Sequence, residues 1–317
     1  MSTSTSMLTR TQLSTMFGLA VVASVLGAAC GESEPSSSDP AAPAADEAIQ
    51  QVYQGSLTVA QAQSACHCKL EVVRLGGTVF NFGLDLSQSP PVAFPFQSTV
   101  PDTLVWIAEL PITRRLNIRS NADGQWAVQA VKVKGRPLPI SFVYEHAGYT
   151  TTKSQVFQVG DAGITDLSVQ FPTAAYFTVA KGQIEQQIGG LIGAPYVLNN
   201  VLVTTVGKSW ASMFSPELPH GDPGAQVTVT PAIQFPVSVG PVYFNQAVAP
   251  DPTLTSTSVD GGVLFGNLAN GSYSFTASKA PFSYDTVTFA IQDGIGLYVA
   301  SPPHGIQGSN DSPAGQP

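Results

Sequence analysis

Glycine occurs 29 times and proline 25 times, spread along the 317-residue chain and not gathered in one segment. Glycine loses backbone entropy in a helix, and proline removes a donor and clashes with the preceding turn, so long helices are excluded as the main element. What lies between these breakers alternates with a period of two. In "PISFVYEHAGY", Ile140, Phe142 and Tyr144 oppose Ser141, Val143 and Glu145, and in "TDLSVQF" Leu167, Val169 and Phe171 alternate with polar neighbours. That is the pattern of short strands buried on one face. "RLNIRS", "NADG" and "QWAVQAVKV" follow one another, and Asp123-Gly124 predicts a hairpin turn between two strands because glycine accepts positive φ.

The texture changes at "TAAYFTVAKGQIEQQIGGLIG", where Tyr176, Val179, Ile184, Ile188 and Leu191 fall on one side of a 3.6-residue period. Gly182 interrupts this helix and Gly189-Gly190 ends it, which leaves one helix or two short pieces. Strand patterning resumes with Val227 and Val229, Tyr273 and Phe275, Val287, Phe289 and Ile291, and Leu297 with Val299 as inward-facing sets. Turns fall at Asp260-Gly261 and Asn270-Gly271. The expected fold is mainly β: two Ig-like β-sandwich domains over 66–172 and 196–303, joined by a short helical connection over 173–195.

Residues 1–29 have a polar start with Arg10, an apolar run from Met16 to Leu26 and then small residues, which is the order of a secretory signal peptide. The run is about eleven residues, short of the roughly 20 that a membrane-spanning helix needs. Leu26-Gly27-Ala28-Ala29-Cys30 resembles the lipobox of bacterial lipoproteins, with Gly27 where a leucine is usual. The resemblance implies an acylated Cys30 at the mature N-terminus, and Gly31 in place of Asp implies transfer to the outer membrane. Cleavage after Ala29 without acylation is the alternative. Residues 30–52 begin "CGESEPSSSDPAAPAADEA", too polar and too rich in Ser, Pro and Ala to bury a core, and read as a disordered tether. Residues 304–317 read as a disordered tail.

In the second half, Pro223-Gly224-Ala225-Gln226-Val227, Asp260-Gly261 and Leu268-Ala269-Asn270-Gly271-Ser272-Tyr273-Ser274-Phe275 fall in order. They resemble the carboxypeptidase regulatory-like domain, a transthyretin-like β-sandwich, over about residues 196 to 302. The resemblance implies an accessory module of the kind attached to some carboxypeptidases, not the zinc enzyme, and leaves activity open.

Charged residues are 11% of the chain and the net charge is −8, without a basic patch, so nucleic acid is excluded as a partner. His67, His146, His220 and His304 are scattered, and no metallopeptidase motif or dinucleotide or phosphate loop occurs. No cofactor, metal or catalytic residue is assigned. The segment 206–224 holds the candidate binding residues: Trp210, Met213 and Phe214 as aromatic and apolar anchors, with His220 and Asp222. The alternatives there are packing onto the body, or a hydrolase of unrecognised type built from Ser209 or Ser212 with His220. In "SACHCKL", Cys66 and Cys68 are candidates for a disulfide, a two-thiolate metal site or buried thiols. The function expected is therefore a non-catalytic envelope lipoprotein, membrane-held through its N-terminal lipid, that binds a glycan or an envelope protein through sandwich loops.

Overall fold

The computed structural model describes residues 21–22, 42–90, 92–94, 98–207, 221–300 and 304–308. The chain is mainly β. Strand β1 (Val21–Val22) and helices α1 (Ala42–Tyr53) and α2 (Val59–Cys66) precede a long strand, β2 (Leu70–Phe82). Then come β3 (Leu84–Asp85), β4 (Val92–Ala93), β5 (Leu104–Ile107) and a 3-10 turn at Pro111–Leu116. The first half closes with β6 (Gln125–Val133), β7 (Leu138–Ile140), β8 (Phe142–Glu145), β9 (Thr152–Ser154), β10 (Phe157–Val159) and β11 (Val169–Pro172). Helix α3 (Ala174–Ile192) leads to β12 (Val201–Gly207), β13 (Gln226–Thr230), β14 (Val239–Phe244) and β15 (Pro250–Asp251). Last are β16 (Gly262–Gly266), β17 (Gly271–Ser278), β18 (Thr286–Ile291), β19 (Leu297–Ala300) and β20 (Ile306–Gln307).

Two separate sandwiches are not what these strands build. One nine-stranded sheet runs β15-β14-β16-β12-β19-β9-β8-β5, with β20 also on β12, and so takes strands from both halves of the chain. Its seam is the parallel pairing of β9 with β19, Thr152 to Leu297 through Ser154 to Val299. Side chains alternate between two cores along β5, β8, β12, β14, β16 and β19 of this sheet. Val105, Ile107, Phe142, Tyr144, Val242, Leu264, Leu297 and Val299 enter one core. Val143, Leu202, Tyr243, Val263, Phe265 and Tyr298 enter the other. Both faces are therefore buried, which explains why "VLFG" and "LYVA" read as continuous apolar runs rather than alternating ones.

Different layers cover the two faces. On one lies the antiparallel sheet β13-β17-β18, whose Phe275 packs on Phe265 at 4.8 Å and on Phe289 at 5.8 Å between ring centroids. The sheet β1-β6-β2-β11 and the helices share the opposite core. Here β2 pairs antiparallel with β6 from Leu70–Val133 to Thr78–Gln125, and its last four residues pair in parallel with β11. Gly76 and Gly77 let another segment cross this strand: Gly76 accepts from Leu167 N and donates to Ile164 O, both at 2.9 Å. A Cβ at Gly77 would overlap the Leu167 carbonyl.

Several local expectations change partners. The turn at Asp123-Gly124 is present, with Asn121 Oδ1 accepting from Asp123 N and Gln125 N. Residues 117–120 run beside β5 instead of β6, through Val105 N to Ile118 O and the Leu104–Arg119 bridge. α3 is one helix across Gly182, capped by Thr173 and ended by left-handed Gly193. Ile184 and Ile188 are buried, but Val179 and Leu191 are exposed.

Residues 42–53 and 304–308 are more ordered than their composition suggests. The expected tether is helical from Ala42, because Ala45, Ala48, Ile49 and Val52 make a buried stripe at helical spacing. Asp46 pairs with Arg136, and Tyr53 Oη accepts from Val131 N at 3.0 Å. Apart from Val21–Val22, which pair in parallel with Gln129 and Ala130, the signal segment and Cys30 lie outside the described residues. At the other end Ile306 and Gln307 are buried against Val206 and Gly207, so part of the expected disordered tail is a strand.

Two lysines in the strands are almost fully buried. Lys132 pairs with Glu71 at 2.8 Å and with Asp161, and Lys153 donates to Ala290 O and Gln292 Oε1, each at 3.0 Å. Burial lowers the Lys153 ammonium, and the Glu109 carboxylate opposes that shift. Hydrogen bonds from Lys132 first, then from Gly135 N, hold Asp161 down at about 2. Its contribution is present above the unfolded carboxylate range, near 4, and is lost as pH falls toward 2. Asp161→Asn is expected to lower the urea midpoint at pH 6, with the difference from wild type vanishing by about pH 2. Gly77→Ala, which must displace backbone, is expected to cost at least about 2 kcal/mol in the same unfolding measurement.

Candidate functional site

An apolar cleft of about 610 Å³, including the solvent at its mouth, lies between α3 and one face of the nine-stranded sheet. The sheet supplies Val201, Val203, Leu264, Leu297 and Val299, the set opposite to the residues that meet β13-β17-β18. Across from them stand Tyr176, Phe177, Ala180 and Ile184 of α3. Ile184 and Ile188 of the helix are buried in the core, Phe177 packs on it while only partly buried, and the space lies beside these residues.

The helix start is fixed from several sides. Thr173 Oγ1 accepts from Tyr176 N at 3.2 Å, and the Tyr176 ring meets Phe82 edge to face at 5.9 Å. Gly83, with φ of 92°, leaves the room that the Tyr176 ring fills. Burial raises the Tyr176 hydroxyl, and the Asp260 carboxylate adds to the shift. At the rim Lys181 pairs with Glu185 at 2.9 Å, and Glu185 Oε1 accepts from Leu198 N at 2.8 Å. Burial pushes the Glu185 carboxyl up, but Leu198 N and Lys181 together outweigh it and leave it low. The cleft thus has hydrocarbon walls, and the one cation on its rim is already paired.

Of the residues expected to bind, Trp210, Met213, Phe214 and His220 lie outside the described residues, as do Ser209 and Ser212. Asp222 is described, and it is buried among structural partners rather than open to a ligand. Its carboxylate pairs with Lys279 and accepts from Tyr284 Oη at 2.6 Å, while its backbone bonds Val206 O and Thr257 Oγ1. Burial, the hydrogen bond to Asp222 and its charge all raise the Tyr284 hydroxyl. This arrangement ties the return of the 206–224 segment to the connection between β17 and β18.

Cys66 and Cys68 are joined by a disulfide at the end of α2, with exposed His67 between them in the left-handed region at φ of 52°. Their sulfurs are therefore not free for a metal. Among the described residues no group of three or more His, Cys, Asp or Glu could hold a metal ion. Sequence reasoning missed the cleft because α3 and the strands lining it are brought together only by the shared sheet. It also missed His304, whose Nε2 lies 3.2 Å from Asp166 Oδ1 and whose carbonyl accepts from Gln155 Nε2 at 2.6 Å.

No family model and no curated protein matches the chain. Among solved structures it is similar to the Bacillus anthracis TIE protein at 12% identity and a TM-score of 0.20, over 73% of this chain and 34% of that one. A streptococcal ancillary pilin matches at 11% identity and 0.19, over 75% and 62%. The major pilin subunit BcpA of Bacillus cereus matches at 8% and 0.21, over 76% and 70%. The chain thus spans about a third of the first and less than two thirds of the second. Scores of this size assign neither fold nor function.

Removing the Asp222 carboxylate strands Lys279 and the Tyr284 hydroxyl. Asp222→Ala is expected to cost about 2–3 kcal/mol in chemical denaturation, and Asp222→Asn less, since the amide keeps an acceptor for Tyr284.

Proposed function

We propose that this chain is an exported, non-catalytic lipoprotein of the cell envelope, acylated at Cys30 and sorted to the outer membrane. It acts as a binding module for an envelope component, taking an apolar part of that component into the cleft beneath α3. The cleft is the observation that carries this reading. Its walls, mostly Val, Leu, Phe and Ile, favour an aliphatic chain or an apolar side chain over a sugar, whose hydroxyls would lose water for few partners there. The order of Arg10, the apolar run and Cys30 supports export and anchoring, and the Cys66–Cys68 disulfide suits an oxidising compartment. Among the described residues no helix is long and apolar enough to cross a membrane. The hydrolase alternative would rest on Ser209, Ser212 and His220, outside the described residues.

Mass spectrometry of the mature N-terminus tests the anchor: the expected result is a diacylglycerol-sized increment on Cys30, and an unmodified thiol there overturns it. Nile red tests the cleft. Wild type is expected to bind the dye with a blue-shifted emission, and Ala180→Phe, which fills the cleft from the helix side, to weaken binding at least about tenfold without lowering Tm. Equal binding by the two proteins would remove the cleft from the reading.

A further inference from the structure

Val237, Leu191, Val197 and Phe235 are, at 75, 66, 61 and 57%, the most exposed large apolar side chains among the described residues. They come from three segments: the end of α3, the connection into β12 and the turn before β14. Asn267 ties the second of these segments to the third, and the second follows the end of α3 directly in the chain. Its Nδ2 donates to Val197 O at 2.9 Å, its Oδ1 accepts from Asn199 N at 2.6 Å, and its own carbonyl accepts from Ser238 Oγ at 2.9 Å. Ser238 N in turn donates to Gln234 O at 2.8 Å, which closes the turn that displays Phe235 and Val237. Gly266 sits where these strands approach, since a Cβ there would press on Leu198 and Val239.

The same segments carry no charge. None of Asp, Glu, Lys or Arg occurs between Glu185 and Lys208, between Asp222 and Asp251, or between Asp260 and Lys279. Surface turns are ordinarily polar, and a cluster of exposed apolar side chains on an uncharged background marks a contact surface.

We propose that this surface contacts a membrane, inserting Phe235 and Val237 into the boundary between headgroups and acyl chains of an uncharged bilayer surface. Two observations favour lipid over a protein partner. The four side chains expose on the order of 400–500 Å², against the roughly 800 Å² per partner of a stable protein interface. Phe235 and Val237 also stand together in the one turn closed by Ser238 N and Gln234 O, so a single turn can enter a fluid medium without the matching hollow that a folded partner would need. The Lys181–Glu185 pair beside Leu198 is neutral as a pair, so attraction to anionic lipid has little part in the contact, and burial of apolar area drives it. The proposal rests on the envelope reading only for what brings the body to a membrane.

The test uses the full chain, purified from membranes and reconstituted into phosphatidylcholine vesicles, with Val237→Cys carrying an environment-sensitive NBD label. A second protein carries the label at Val92→Cys, on the hairpin β3-β4 beside Phe82 and Gly83. That position lies toward the first turn of α3, about 22 Å along the helix from Leu191. Emission from position 237 is expected to shift to the blue and to be quenched by lipids bearing a nitroxide on the acyl chain, with no change between about 0.1 and 1 M NaCl. Position 92 is expected to do neither. Absence of quenching at 237, or equal quenching at both positions, overturns the proposal. So does a concentration-dependent dimer in sedimentation that Phe235→Ser with Val237→Ser abolishes, since the patch would then join two copies. An unacylated Cys30 in the same preparation would defeat the anchor alone, because vesicles added to that protein still decide the quenching at 237.

Discussion

Three residue pairs between β9 and β19 decide what kind of object this chain is. Without them the strands on either side would belong to two sheets, one from each half of the chain. With them a single sheet runs through the middle of the molecule and must be clothed on both sides, by a smaller sheet on one face and by a second sheet and α3 on the other. A strand in that position has no polar side to offer. Where a polar residue does fall there, it is supplied with partners, as Lys153 is by Ala290 O and Gln292 Oε1.

The period-two runs were legible because alternation records burial locally, and Leu167, Val169 and Phe171, or Tyr273 and Phe275, are buried as their spacing implies. Pairing was less legible. Asp123-Gly124 does turn the chain, but nothing in the turn names the neighbour that the next strand meets, and β6 pairs with β2. Val143 illustrates the same gap from the other direction: assigned to the outer face by alternation, it is fully buried because another layer covers that face. Residues 42–53 misled through composition, since Ser, Pro and acid upstream hid a four-residue apolar stripe that docks once a sheet is there to receive it.

The candidate site was invisible for a related reason. Polar and aromatic groups in the 206–224 segment drew attention as chemistry, whereas the described residue among them, Asp222, is occupied as a structural tie between Lys279 and Tyr284. The cleft has no chemically distinctive residue at all. It exists because the fold brings Phe177, Ala180 and Ile184 of α3 opposite Val201, Val203, Leu264, Leu297 and Val299 of the sheet, a meeting that no residue type announces.

The seam between β9 and β19 also bears on how the molecule is made. A chain synthesised from its N-terminus presents Thr152–Ser154 long before Leu297–Val299 arrives, and until then β9 has an unpaired edge. Contacts that bridge nearly half the sequence slow folding and prolong the life of partly folded forms. The first half therefore cannot reach its final state on arrival; completion waits for the last strands, and a chain cut short before residue 297 would retain an open edge that invites association with its neighbours.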